Sequence, residues 1–270
     1  MPSFLDELLA GARRRVEVDR ARESLEALRA RALVTEAPPS FTDALAGPDV
    51  AVIAEVKRAS PSRGPLAPDI DAGEVAQQYA DGGAAAISVL TEPAGFDGSL
   101  DDLRAASRTG TPTLRKDFVV DPYQVWQARE AGASAVLLIV AALTDDDLAA
   151  LHEEARAAGL AALVEVHDAD ELRRAARVGA RVVGVNARDL RTFELDAHAF
   201  ARLRPQMSPS MIAVAESGVR DPDDVRRLAV EGADAVLVGE SVVTAPDRRA
   251  AVAALVEAGR RDPAATLGAS

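Results

Sequence analysis

The stretch Ala51-Val-Ile-Ala-Glu-Val-Lys-Arg-Ala-Ser-Pro61 decides how the rest of this chain is read. Val52, Ile53 and Val56 give it the β-branched character of a buried strand, and Ser60-Pro61-Ser62 breaks it. Glu55 and Lys57 fall near its end. Side chains alternate along a strand, so these two share a face, roughly 7 Å apart. Opposite charges on one face of an apolar strand are costly to bury unless they serve a purpose. An edge strand with a solvated salt bridge would also account for them. The pattern recurs, however, which favours a functional role. Leu114-Arg-Lys116, Ala162-Leu-Val-Glu165, Val183-Gly-Val-Asn186 and Ala213-Val-Ala-Glu216 also run apolar and end in a charged or amide residue.

Outward from that stretch, a unit of short apolar strand plus amphipathic helix repeats. Strands are expected near 51–56, 84–90, 112–116, 134–140, 160–165, 181–185, 211–215 and 234–238, with helices such as 71–81, 122–131, 144–158, 168–178 and 221–230 between them. Acidic residues crowd the first helical turns (Asp145-Asp-Asp147, Asp168, Asp170), as the helix dipole favours. Gly83-Ala84, Gly132-Ala133, Gly179-Ala180 and Gly232-Ala233 precede every second strand, each glycine suited to end a helix. Eight such units make a closed parallel (βα)8 TIM barrel. A doubly wound open sheet competes, but it usually carries a glycine-rich turn after its first strand, where this chain has Arg58-Ala-Ser-Pro-Ser-Arg-Gly64. The expected organisation is an N-terminal helical extension over 1–48, a barrel over 49–262 and a disordered tail over 263–270. Within the extension, residues 3 to 34 read as helix, with Arg13-Arg14-Arg15 on its solvated side.

In such a barrel the chemistry sits at the C-terminal ends of the strands. That rule gathers Glu55, Lys57, Lys116, Glu165, Asn186, Arg188, Glu216 and Ser217 around one mouth. The last two strands end in Glu216-Ser-Gly218 and Val238-Gly-Glu240, where backbone N–H groups can approach an anion, and phosphate sites commonly form after strands seven and eight.

Composition limits the rest. The 270 residues are 48% hydrophobic, enough for a large core. Without cysteine there are no disulfides, thiolate metal sites or cysteine nucleophile. His152, His167 and His198 show no metal-ligand spacing and are read as surface residues. A net charge of −12 argues against a nucleic-acid or membrane partner, so an anionic substrate needs a local positive site. The N-terminus lacks the pattern of a signal peptide, and the apolar run from Ala133 to Leu143 is too short to span a bilayer. A cytoplasmic monomer is expected.

Glu55-Val-Lys-Arg-Ala-Ser-Pro-Ser62, Ser88-Val-Leu-Thr-Glu92, Leu114-Arg-Lys-Asp-Phe118, Gly184-Val-Asn-Ala-Arg-Asp-Leu190 and Glu216-Ser-Gly218 closely resemble the indole-3-glycerol phosphate synthase family, in order and on the expected strand ends. The resemblance implies ring closure, decarboxylation and dehydration of 1-(2-carboxyphenylamino)-1-deoxyribulose 5-phosphate in tryptophan biosynthesis, without metal or organic cofactor. It implies Lys116 as general acid, Glu165 as base, and Lys57 as second acid or anchor for substrate anions. Glu55 and Asn186 would orient lysines and ribulose hydroxyls, and Glu216 and Ser217 would hold substrate. Gly218, Gly239 and Glu240 would grip phosphate, the Glu240 side chain pointing away. Ser60, Pro61, Phe96, Phe118, Arg188 and Leu190 would complete the substrate site, the apolar ones beside the anthranilate ring, although Phe96 suits core packing equally. The N-terminal segment would pack over the barrel mouth. Two rivals remain: a Schiff-base aldolase using Lys116, and a non-catalytic barrel that binds a phosphorylated ligand.

Overall fold

The computed structural model describes residues 4–189 and 192–261. Among these, eight parallel strands close into one barrel: β1 (Ala51–Val56), β2 (Ala86–Leu90), β3 (Thr113–Lys116), β4 (Ala135–Ile139), β5 (Ala161–Val166), β6 (Val182–Asn186), β7 (Ile212–Glu216) and β8 (Ala235–Val238). Closure is made by β1 against β8, with Ala51 opposite Ala235 and Ala54 opposite Val238. A closed barrel has no edge, so Glu55 and Lys57 are not the solvated salt bridge of an edge strand.

Alternation sorts the strand residues into two layers. Val52, Ala54 and Val56 pack outward with Ile87, Val89, Val136, Leu138 and Val164 against the helices. Ile53, Leu114, Leu137, Leu163, Val214 and Leu237 fill the interior. Both faces are buried, which is why the strands read as near-continuous apolar runs. Glu55 lies on the interior face of β1 two residues beyond Ile53, and the same step carries Leu114 to Lys116 and Leu163 to Glu165. The register then sets the charged ends side by side: Glu55 opposite Ser88, Leu90 opposite Lys116, Asn186 opposite Glu216.

The barrel-strand connections contain α4 (Ala72–Asp81), α5 (Pro93–Phe96), α6 (Leu100–Ser107), α7 (Pro122–Glu130), α8 (Asp145–Ala157), α9 (Ala169–Arg177), α10 (Ala199–Leu203) and α11 (Pro222–Val230); α12 (Glu240–Val243) and α13 (Arg248–Ala258) follow β8. Gly83 and Gly232 take positive φ (+89° and +91°) in the turns that hand α4 and α11 on to β2 and β8, as a helix-ending glycine does.

Ahead of β1 lie α1 (Phe4–Arg22), α2 (Leu25–Leu33) and α3 (Phe41–Leu45). The expected single helix over 3–34 is broken at Ser24, whose hydroxyl caps α2 by accepting from the Ala27 N–H at 3.2 Å. A serine that bonds the backbone three residues on ends one helix and starts another. The break lets α2 lie against α7, where Arg31 pairs with Glu130 (2.5 Å) and Arg129 bonds the Thr35 hydroxyl (2.6 Å). Arg15 is not solvated as expected: it reaches Glu92 (3.1 Å) and Asp117 (3.2 Å). Phe41 and Leu45 of α3 are fully buried with the interior cluster. The expected tail over 263–270 lies outside the described residues.

Candidate active site

The C-terminal ends of the strands surround a cavity of about 490 Å³. Lys116 ends β3, Glu165 lies one residue before the end of β5, and Glu216 ends β7. The ammonium Nζ of Lys116 lies 3.4 Å from Glu165 Oε2 and 3.7 Å from Glu216 Oε2. Space for this box is made by Gly184 on β6: a Cβ there would fall well within contact of Glu216 Oε1.

The three charges set one another. Burial works against the Lys116 ammonium, but the fields of Glu165, Glu216 and Glu55 outweigh it and raise its pKa, so it stays charged. Burial also opposes ionisation of Glu165, yet Lys116, His167 and Asn186 hold it below the ordinary carboxylate range. Glu216 goes the other way, pushed up to about 8 by burial and by Glu165, with Glu55 adding repulsion and Lys116 opposing it. Like charges that crowd one cation cannot all ionise. With Glu216 protonated near neutrality, two lysines face two carboxylates, and the site does not present the net negative charge that would repel an anionic substrate.

A second pair sits at the end of β1. Lys57 Nζ lies 3.1 Å from Glu55 Oε1, while Ser88 donates to Glu55 Oε2 at 3.2 Å. This pair rests against Gly239, where a Cβ would approach Glu55 Oε1 to 2.6 Å and Lys57 Nζ to 2.9 Å. A side chain at 239 would thus have to displace the charged ends of this pair, and Gly239 is the N-cap of α12. Ser217 and Gly218 both take left-handed backbone (φ +67° and +79°), and the Ser217 hydroxyl donates to Asn186 Oδ1 at 2.8 Å. The Arg188 N–H donates to that same oxygen at 3.0 Å, and its guanidinium donates to the Phe193 carbonyl at 2.9 Å.

Each other expected residue within the described chain also lines this cavity: Ser60, Pro61, Phe96, Phe118, Gly218, Gly239 and Glu240. Leu190 lies outside the described residues. Phe118 is buried, whereas Phe96 is only partly so. The Glu240 carboxylate pairs with Arg63 at 3.3 Å across the mouth. Besides Lys116, the cationic residues on the cavity wall are Lys57, Arg63, Arg188 and Arg220.

Several lining residues were not expected. Leu137, Ile139 and Leu237 form an apolar floor, and Phe193 and Leu195 an apolar wall. Continuing the alternation of β4 to its end would have found the first two. His167 corrects the surface reading of the histidines: its side chain is 17% exposed and its Nε2 lies 3.7 Å from Glu165 Oε1. The signal was present, because Glu165-Val-His167 repeats the spacing of Glu55-Val-Lys57.

Fold and mouth together make the protein a (βα)8-barrel enzyme. Likeness to solved structures supports the barrel: the chain superposes on 3-hexulose-6-phosphate synthase from Salmonella typhimurium with TM-score 0.63 and 14% identity, over 77% of this chain and 98% of that one. A tryptophan synthase structure from M. tuberculosis gives TM-score 0.62 and 17% identity, over 84% and 100%. At such identities only the fold is shared. Sequence goes further. The profile of the indole-3-glycerol phosphate synthase family matches residues 5–255. Indole-3-glycerol phosphate synthase 1 of Streptomyces coelicolor is 51% identical over 269 residues, 99% of this chain and 100% of the relative. Indole-3-glycerol phosphate synthase of Mycolicibacterium smegmatis is 52% identical over 258 residues, 95% of each. The chain belongs to the indole-3-glycerol phosphate synthase family.

Proposed function

We propose that this enzyme, acting as an indole-3-glycerol phosphate synthase in tryptophan biosynthesis, converts 1-(2-carboxyphenylamino)-1-deoxyribulose 5-phosphate to indole-3-glycerol phosphate, carbon dioxide and water, with Lys116 as the acid of ring closure. The observation that carries this reading is the Lys116 ammonium held 3.4 Å from Glu165 and 3.7 Å from Glu216 at the base of the cavity. Closure joins the ring carbon that bears the carboxylate to the ketone carbon, and the ketone oxygen becomes basic as that bond forms. An alkoxide is base enough to take a proton even from an ammonium of raised pKa. Loss of carbon dioxide restores the conjugation of the ring. Dehydration then needs a proton on the departing hydroxyl and a base for the neighbouring C–H, and Glu165 is that base.

The remaining residues bind and orient. Lys57 and the backbone N–H groups at Gly218 and Gly239 serve the phosphate end, with Arg63 near it. Asn186, Ser217 and Glu216 hold the ribulose hydroxyls, while Pro61, Phe96 and Phe118 flank the anthranilate ring. A Schiff-base aldolase is disfavoured, because imine formation needs a neutral lysine and the carboxylates keep Lys116 charged. A cytoplasmic monomer belongs to the same proposal. Among the described residues, no helix is long and apolar enough to cross a membrane. Appearance of indole fluorescence from the synthetic substrate tests the reading. Its absence, or trapping of a substrate–lysine adduct by borohydride, would count against it.

A further inference from the structure

Behind Glu165 lies a charged pair that the chemistry above does not use. Glu171 on α9 accepts from the His167 backbone N–H at 2.8 Å, and the same carboxylate oxygen lies 3.0 Å from His167 Nδ1. An ionised carboxylate only accepts, so Nδ1 carries a hydrogen. On the other side of the ring, Nε2 lies 3.7 Å from Glu165 Oε1, and both atoms are buried without another hydrogen-bond partner. A neutral ring protonated on Nδ1 would aim the Nε2 lone pair at a buried carboxylate oxygen, an uncompensated repulsion. A second proton on the ring removes the conflict and turns it into an ion pair. The groups that face the ring are Glu165, Glu171 and Glu216. Those that face Glu165 are Lys116, His167, Asn186 and Glu216.

We propose that His167, anchored by Glu171, is a positioning residue for the base: its imidazolium occupies Glu165 Oε1, leaves Oε2 to Lys116 and substrate, and keeps a cation beside Glu165 when Lys116 has given up its proton. The inference rests on the reading of Glu165 as base. Burial opposes the imidazolium, but the bond to Glu171 and the fields of Glu165, Glu171 and Glu216 prevail and raise the His167 pKa.

A purely structural role is the alternative, since His167 also precedes Asp168, the N-cap of α9. His167→Asn separates the two. It keeps the backbone N–H and puts an amide donor near the Nδ1 position, but removes the arm toward Glu165. An opposite charge at such range lowers a carboxyl pKa by about 1 unit or more, so the acid limb of the kcat–pH profile moves up by about 1 unit, with KM changed less than about twofold. Glu171→Gln keeps an acceptor for both N–H groups and removes only the charge behind the ring; its acid limb moves the same way, by less. If His167→Asn does not fold, judged by its melting temperature, Glu171→Gln decides alone. Glu165→Gln is measured alongside. Should it keep wild-type turnover, the base assignment and this inference fall together. Should it lose turnover while the folded variants at 167 and 171 keep the wild-type acid limb, Glu165 stands as base and His167 is structural.

Discussion

Lys57 and Lys116 occupy two ends of one mouth, on strands separated by β2, and each side chain is 16% exposed. Accessibility does not distinguish them; their company does. Lys57 pairs with the single carboxylate Glu55, itself shared with Ser88, and rests against Gly239 at the entrance to α12. Lys116 stands between Glu165 and Glu216 and also feels the field of Glu55. The first arrangement suits a fixed cation that holds an anion. The second surrounds a proton with carboxyl groups of unlike pKa, which is the setting acid–base chemistry uses. The proposed division of labour between two lysines that look alike in the sequence rests on the number of carboxylates around each.

Breaking the Lys116 end has the largest expected effect. Lys116→Met should lower kcat by roughly 10² or more, in line with general-acid contributions. Lys116→Arg should not restore it, because guanidinium does not release its proton in the working range. Breaking the Lys57 end should look different. Lys57→Met removes an anion anchor, so KM should rise by roughly tenfold, the worth of one charge-assisted hydrogen bond, with a smaller loss in kcat. Equal losses in kcat at both positions would erase the distinction.

Glu216→Gln sharpens it through pH. Glu216 keeps its proton to about pH 8 when folded but loses it in the ordinary carboxylate range when unfolded. The folded chain then binds more protons across that window, and its stability falls as pH rises through it. Glutamine does not titrate. The melting temperatures of variant and wild type should diverge in favour of the variant from the ordinary carboxylate range up to about pH 8, then run parallel. Curves that stay parallel throughout would mean that Glu216 is an ordinary carboxylate. The smallest effect is expected where the extension meets the mouth. Arg15→Ala removes a partner from the buried Glu92 and Asp117, but Asp117 keeps Arg115 and Thr91. The loss should be about 1–2 kcal/mol, read as a lower melting temperature, with modest change in kcat.

The barrel was legible because short, near-continuous apolar runs alternate with period-3.6 helices and recurring glycine-alanine pairs mark the turns between them. Strand ends were legible for the same reason, since a charge on an apolar strand is conspicuous. What escaped had no such contrast. Leu137 and Ile139 are apolar residues on an apolar strand, and only the alternation carried to the end of β4 separates them from the outward-facing Val136 and Leu138. Phe193 and Leu195 lie in an aperiodic loop. The helix break at Ser24 depends on one hydroxyl-to-backbone bond. Arg15 was hidden in a run of three arginines of which two are exposed. His167 was missed because β5 was expected to stop at Glu165, which hid the repeat of the Glu55-Val-Lys57 spacing.

The proposed step for Lys116 is carbon–carbon bond formation, ahead of decarboxylation. A single-turnover experiment on Lys116→Met that follows carbon dioxide release and indole formation separately tests it most directly. If Lys116 is the acid of ring closure, both signals should slow together and by the same factor, because nothing downstream begins until the bond is made. Carbon dioxide released at the wild-type rate with indole formation alone delayed would contradict the account and move Lys116 to the dehydration step.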